Sequence, residues 1–453
     1  MYAPTRRMFI RQAACAALST SGLLNAIFDL RKLSAATIAD ASDYKAIVCL
    51  FLFGGNDANN VVVPHDSSGY ASYAAARGIL ALPQNSLLPL TLQNGDGRDF
   101  AFHPSMPEMQ ALFNQGHLGV VANVGTLVAP ITRAQYLNGG AAVPAQLFSH
   151  ADQSVQWQTS VPDQISRTGW GGRMADLLHS LNGNAQISLS ISIAGTNTFE
   201  VGNTVLPYSV SPDGTVGLSG FDGSANANVR LQAFKNLLAL PQNNLFQQAY
   251  SDTVTRSIAA NDLLTSALAG IPAMQTQFPA SSLAKQLSMI AQLIAARNNL
   301  GMRRQIFFCS VSGYDTHGDQ LAGQANLLSE LSQAMNAFYS ATAELGVAND
   351  VTTFTASDFG RTFPTNGSGS DHGWGSHQFV LGGAVRGGRL FGTFPTLAVN
   401  GPDDTGQGRW IPTTSVDEFS ATLASWFGVS ASDMPMVLPN IRRFAHPNLG
   451  IFG

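Results

Sequence analysis

Four apolar runs constrain this chain more than any other feature of its 453 residues. AIVCLFLF (Ala46 to Phe53), LGVVANV (Leu118 to Val124), RRQIFFCSV (Arg303 to Val311) and VTTFTA (Val351 to Ala356) are rich in β-branched and aromatic residues and too short for ordinary helices. Runs of this kind suit strands covered on both faces, which are found in parallel sheets flanked by helices. A helix expected from Pro104 or Ser105 to Gln115, with Met106, Met109, Leu112 and Phe113 on one face, separates the first two runs in a βαβ-like rhythm. The fold class expected is therefore α/β, with ligands at the carboxyl ends of the strands.

Those ends are where the chemistry collects. The first run stops at Gly54-Gly55-Asn56-Asp57-Ala58-Asn59-Asn60, where Asp57 is either a ligand projecting from the strand end or an Asx-turn residue. The third delivers Asp315-Thr316-His317, two apart on extended chain and so pointing the same way. The fourth opens SDFGRTFPTNGSGSDHGWGSHQF (Ser357 to Phe379), which holds Asp358, Arg361, Asp371, His372 and His377 in a Gly-rich loop before another strand, QFVLGGAV. Ser149-His150 precedes the polar helix ADQSVQWQTS; Ser149 is a helix cap or, aided by the helix dipole, a nucleophile. Mixed Asp and His ligands suit a transition metal, so one or two divalent ions are expected, zinc or manganese ahead of calcium or magnesium.

Other regions set the context. Thr5-Arg6-Arg7-Met8-Phe9-Ile10 before the weakly apolar stretch Ala13 to Phe28 resembles a twin-arginine export signal, with Ala39-Asp40-Ala41 as cleavage site. Residues 1–41 are accordingly read as the signal, the twin-arginine translocase as a partner during export, and the periplasm or the exterior as the destination. No stable membrane span is expected in the mature chain. The formal charge of −4 offers no basic patch, which argues against nucleic acid. Cys49 and Cys309 sit in apolar runs as buried thiols, to be bridged only if their strands are neighbours. The stretch 176–300, where ISLSISI (Ile187 to Ile193) alternates as a half-exposed strand, is read as structural, either a cap or insertion or an integral part of one 42–453 domain.

GGNDANNVVVP, SHADQSVQWQTS, GYDTHGDQ, SDFGRT and SDHGWGSHQFVLGGAVRGG occur in the order, and over nearly the whole mature chain, in which they resemble the DUF1501 family of secreted bacterial proteins. That family resembles a distant branch of the alkaline phosphatase and sulfatase superfamily. The resemblance implies a three-layer sandwich around a mostly parallel sheet, with Asp57 as a first-strand metal ligand and Ser149 as nucleophile. It assigns Asp315, His317 and His372 to one metal and Asp358 to another beside Asp57 and Ser149. Phe359 follows Asp358 where phosphatase-like members commonly carry His, and Asp315 and His317 stand closer than the usual pair. The implied function is an exported metal-dependent hydrolase of phosphate or sulfate esters acting on a small-molecule or glycan ester, with His150 assisting the leaving group or orienting Ser149. Arg361 is either a clamp on the substrate's equatorial oxygens or one half of a salt bridge to Asp358 or another acid. The competing expectation is a non-catalytic exported binding or assembly protein that keeps the fold.

Overall fold

The computed structural model describes residues 43–215, 220–221 and 224–453. Residues 1–41, expected to be an export signal, lie outside them. Twelve strands follow in chain order: β1 (Lys45–Leu52), β2 (Val62–Pro64), β3 (Leu88–Pro89), β4 (Phe100–Phe102), β5 (Leu118–Gly125), β6 (Ser190–Ser192), β7 (Tyr208–Ser209), β8 (Arg304–Val311), β9 (Val351–Ser357), β10 (Ser376–Leu381), β11 (Leu390–Phe391) and β12 (Thr414–Ser415). The principal helices are α1 (Ser67–Arg77), α2 (Pro107–Asn114), α3 (His150–Thr159), α4 (Trp170–Leu178), α5 (Ala225–Leu238), α6 (Leu245–Ala269), α7 (Ser282–Ala295), α8 (Gln320–Glu344) and α9 (Val416–Phe427).

The four apolar runs all become strands of one large sheet, ordered β11-β5-β10-β9-β1-β8-β6-β7 with β12 also on β5. Only β10 among them runs antiparallel to its partners, β5 and β9. Every residue of β1 from Ala46 to Leu52 is buried, as a strand covered on both faces must be. The pleat divides them: Ala46, Val48, Leu50 and Leu52 enter one core with α2, α7 and α8. Ile47, Cys49 and Phe51 enter the opposite core with α4 and α9. This is the three-layer arrangement, helices on both faces of a mostly parallel sheet.

The same pleat keeps the two thiols apart. Although β1 and β8 are neighbours, Leu50 rather than Cys49 stands opposite Cys309, so the side chains point to different faces. Both cysteines are free and buried. Within 176–300, β6 and β7 extend the central sheet beyond β8 and α7 packs on β8, while α5 and α6 pack on each other. Among the described residues no helix is long and apolar enough to cross a membrane.

Register brings the chemical loops to one edge. Leu52 pairs with Val311 on one side and Ser357 on the other, so β1, β8 and β9 end level. The loop 358–375 returns from the end of β9 to the start of β10 on that same edge. A Cβ at Gly54 would stand 2.3 Å from the amide nitrogen of Asp315, and one at Gly369 2.2 Å from the carbonyl of Thr316. Glycine therefore lets the three loops touch.

Candidate metal centre

Five of the residues singled out in the sequence meet at this edge. Asp315 and His317 arrive from β8, Asp358 and His372 from the loop after β9, and His150 from the first turn of α3. His372 Nε2 lies 2.9 Å from His317 Nε2 and 3.1 Å from His150 Nε2. The Asp315 carboxylate faces the same point: Oδ1 is 3.0 Å from His317 Nε2 and 3.3 Å from His372 Nε2, and Oδ2 is 3.5 Å from His150 Nε2. Among the described residues, His150, Asp315 and His372 offer ligand atoms all within 4.8 Å of one another.

The other nitrogen of each ring decides what those Nε2 atoms are. His150 Nδ1 donates to Asp358 Oδ2 at 2.7 Å, His317 Nδ1 to Asp371 Oδ1 at 3.1 Å, and His372 Nδ1 to the Phe148 carbonyl at 2.7 Å. In the neutral form with Nδ1 carrying the hydrogen, a ring turns an Nε2 lone pair toward the others. Lone pairs facing one another near 3 Å beside a carboxylate repel unless positive charge lies among them. Histidines whose outer nitrogens are held by carboxylates or carbonyls are the usual arrangement around a bound cation. His150, His372 and Asp315 thus fit a divalent ion by donor chemistry, with His317 beside His372 and Asp315 on the flank of that set, and the buried Asp358 has an Oδ1 with no hydrogen-bond partner.

The electrostatics agree with a ligand-ready state. Burial holds the His372 imidazole below its ordinary value, against the opposing pull of the Phe148 carbonyl. Burial on its own raises the Asp315 carboxyl, but the Arg361 hydrogen bond and charge, joined by His317 and His150, outweigh it and leave the group below the usual range. The Asn366 amide, with His317, likewise lowers Asp371.

The structure gives several sequence-predicted residues other positions. Asp57 is fully buried and its carboxylate is engaged: it pairs with Arg77, accepts from the Gln320 side chain, and accepts from Asn59 through both Nδ2 and the backbone amide. No group of described residues able to hold a cation includes it, so the turn reading describes its geometry. Arg361 is no clamp on a substrate. Its side chain has no exposed surface, and its guanidinium donates to Asp315 Oδ1 at 2.8 Å, to the Gly54 carbonyl and to the Ser370 carbonyl. It aims Asp315, the salt-bridge alternative with a different acid from Asp358.

Ser149 caps α3, accepting from the Asp152 amide and donating to Asp152 Oδ2 at 2.5 Å. His150, expected beside a leaving group, joins the cation-holding set instead. Its ring lies 4.7 Å from Phe359 and its Nδ1 rests on Asp358. An imidazole from α3 thus stands against Asp358 and Phe359. His377 lies inside β10, buried, accepting from the Asn123 amide and stacked on Phe394. That position takes it into the sheet and away from the cluster.

Sequence reasoning missed the contacts that support the set. Gln146 and Phe148 both adopt positive φ, at 51° and 72°, a costly conformation for non-glycine residues that collects at functional sites. At Phe148 it turns the carbonyl onto His372. Asp152, three residues after Ser149, carried a capping signal that could have been read.

The family described as "Protein of unknown function (DUF1501)" matches residues 44–435. No curated protein matches the chain. Among solved structures, the chain is similar to Ps i-CgsB, with 8% identity over 90% of this chain and 78% of that one at a TM-score of 0.34. It is similar to the PsFucS1 sulfatase from Pseudoalteromonas sp. with 10% identity over 93% and 76% at 0.36. A variant of the alkaline phosphatase PafA shares 12% identity over 72% and 64% at 0.24. Scores at this level leave the chemistry to be argued from this chain's own residues.

Proposed function

The chain belongs to the DUF1501 family, and from that premise we propose that it is an exported, metal-dependent hydrolase of phosphate or sulfate esters, carried out through the twin-arginine pathway. One observation carries the reading: three imidazole Nε2 atoms and the Asp315 carboxylate converge while each outer nitrogen is hydrogen-bonded. A set of two imidazoles and one carboxylate, with a third imidazole on its flank, favours zinc or manganese over calcium or magnesium. When bound, such a cation supplies Lewis-acid stabilisation of charge on a tetrahedral oxyanion.

The chain's own groups carry the rest. His150, His372 and Asp315 would hold the ion, with His317 beside them; Asp358, Asp371 and the Phe148 carbonyl fix the three rings, and Arg361 fixes Asp315. Ser149, next to His150 at the positive end of α3, is the nucleophile, and Asp152 Oδ2 is in place to take its proton. The Ser149 Oγ bond to phosphorus or sulfur forms as the bond to the ester oxygen breaks, and the alcohol leaves with a proton returned from Asp152. Water then cleaves the seryl ester, releasing the inorganic anion and restoring the hydroxyl.

The competing reading, a non-catalytic exported binding or assembly protein that keeps the centre, draws on Ser149 Oγ being turned onto Asp152. Metal analysis and turnover of aryl phosphates and aryl sulfates separate the two. The hydrolase reading expects metal in the purified chain and a loss of about 100-fold or more in kcat for Ser149→Ala, with metal content unchanged. A metal-loaded chain with no Ser149-dependent turnover on either ester class overturns it in favour of the binding reading.

A further inference from the structure

A phosphate or sulfate ester entering this centre brings one or two negative charges to a site where the Asp315 and Asp371 carboxylates already stand beside the imidazoles, and cationic compensation from the chain favours it. Arg361 and Arg77 are both buried and committed to Asp315 and Asp57. Arg409 differs from both. It is half-buried, on a loop that the buried Asp404 ties down through the amides of Asn400, Gly406 and Arg409. Its Nε donates to the carbonyl of His372 at 2.8 Å, and its guanidinium carbon lies 4.5 Å over the ring of Phe148, the residue whose own carbonyl orients the His372 imidazole. Neither Nη atom has a hydrogen-bond partner among the described residues.

We propose that Arg409 binds the anionic head of the substrate, offering its two free Nη donors to the non-bridging oxygens of a phosphoryl or sulfuryl group. The proposal rests on the hydrolase reading for the identity of that group. The physical case is one of preorganisation. Stacking on Phe148 and the Nε bond hold the guanidinium plane in place, so little side-chain freedom remains to be lost on binding. A planar fork with two unengaged donors matches two oxygens of one oxyanion, which an ammonium does not. Attachment to the His372 carbonyl and the Phe148 ring also ties this cation to one member of the metal-holding set and to the residue that orients that member.

The test compares wild type, Arg409→Gln and Arg409→Lys as metal-loaded full chains. KM and kcat are measured on 4-nitrophenyl phosphate and sulfate, inhibition and calorimetric binding with inorganic phosphate and sulfate, and metal content on each protein. Expected is a rise of about 10- to 100-fold in KM, and in the constant for whichever inorganic anion the wild type prefers, for Arg409→Gln. Metal content stays unchanged and Arg409→Lys recovers part of the loss. The anion preferred identifies the phosphate or the sulfate arm. Loss of metal in Arg409→Gln with unaltered anion binding by the remaining loaded fraction overturns the proposal and makes Arg409 a support for His372. Turnover by wild type with KM and anion binding unmoved in Arg409→Gln also overturns it and leaves the hydrolase reading standing. Anion binding that depends on Arg409, in a chain with no turnover, upholds it while the hydrolase reading falls. A loaded wild type that binds neither anion and turns over neither ester overturns both.

Discussion

Asp57 and Asp315 follow adjacent, parallel strands that end level, in loops of similar composition, and the fold gives them opposite surroundings. Asp57 is fully buried, and Arg77, Gln320 and Asn59 occupy its oxygens. Asp315 keeps 44% of its side-chain surface, takes one arginine from behind, and turns its other contacts toward three imidazoles. A carboxylate whose acceptor sites are filled by neutralising and hydrogen-bonding partners holds loops together; one left facing lone pairs is prepared for a cation from outside. The partners, and not the strand-end Asp itself, make the difference.

The largest effect that tests this contrast belongs to the buried pair. Arg77→Met removes the cation paired with the buried Asp57 carboxylate and also the donor to the carbonyls of Thr362 and Phe363. Removing one partner of a buried ion pair costs about 3–5 kcal/mol, read as a lower midpoint in urea unfolding of the metal-free chain, while cation affinity per folded molecule stays as in wild type. A chain that keeps its stability but loses its metal would assign Asp57 to the centre after all.

This contrast also marks how far the sequence could be read. The four apolar runs announced the sheet because burial on both faces leaves a composition that little else produces, and glycine with Asp and His marked the edge where the loops converge. Asp315, His317, Asp358 and His372 were legible because each follows a recognisable strand. The engagement of Asp57 was not, because Arg77 ends the otherwise uncharged helix SSGYASYAAAR and nothing local distinguishes a buried arginine there from an exposed one. His150 was legible as a neighbour of Ser149 but not as a member of the cluster, since its direction depends on the positive φ at Phe148 and on a contact with Asp358, 208 residues away. His377 was read as a loop residue because the strand was expected to begin at Gln378; the strand begins at Ser376, and a residue inside it points to a sheet face and not along its edge.

A smaller effect separates the supports within the cluster. Asp358 is buried to 2% exposure, whereas the Asp371 side chain keeps 50%. Asp358→Asn weakens the hold on the His150 ring where solvent cannot replace it, and an outer partner of this kind is worth about 10- to 100-fold in metal affinity. Asp371→Asn, whose place water can take, falls at or below about the lower end of that range. Competition against a chromophoric chelator measures both. Equal losses would mean that burial does not set the strength of these supports.

The smallest expected effect is a shift along the pH axis, and it asks whether the two regions are independent. Protons compete with a cation for Nε2, so affinity falls as pH drops through the value at which the ring protonates. Burial holds His372 below its ordinary value, which lies near 6.5 for a free imidazole. Its share of the loss therefore comes at more acid pH than a free imidazole would give, and Asp315, held below the carboxylate range, adds its share at lower pH still. The sign is fixed: a depressed histidine keeps the ligand-ready form as the solution becomes more acid, and acidification beyond that point releases the metal. Chelator competition across pH gives this profile for wild type, and for Arg77→Met in conditions where it remains folded. Superimposable profiles mean that the Asp57–Arg77 pair holds the scaffold without tuning the imidazoles. A profile displaced by the loss of Arg77 means that its charge reaches the cluster through the Gln320–Ser370–Arg361 chain of hydrogen bonds, and the two regions are then one electrostatic unit.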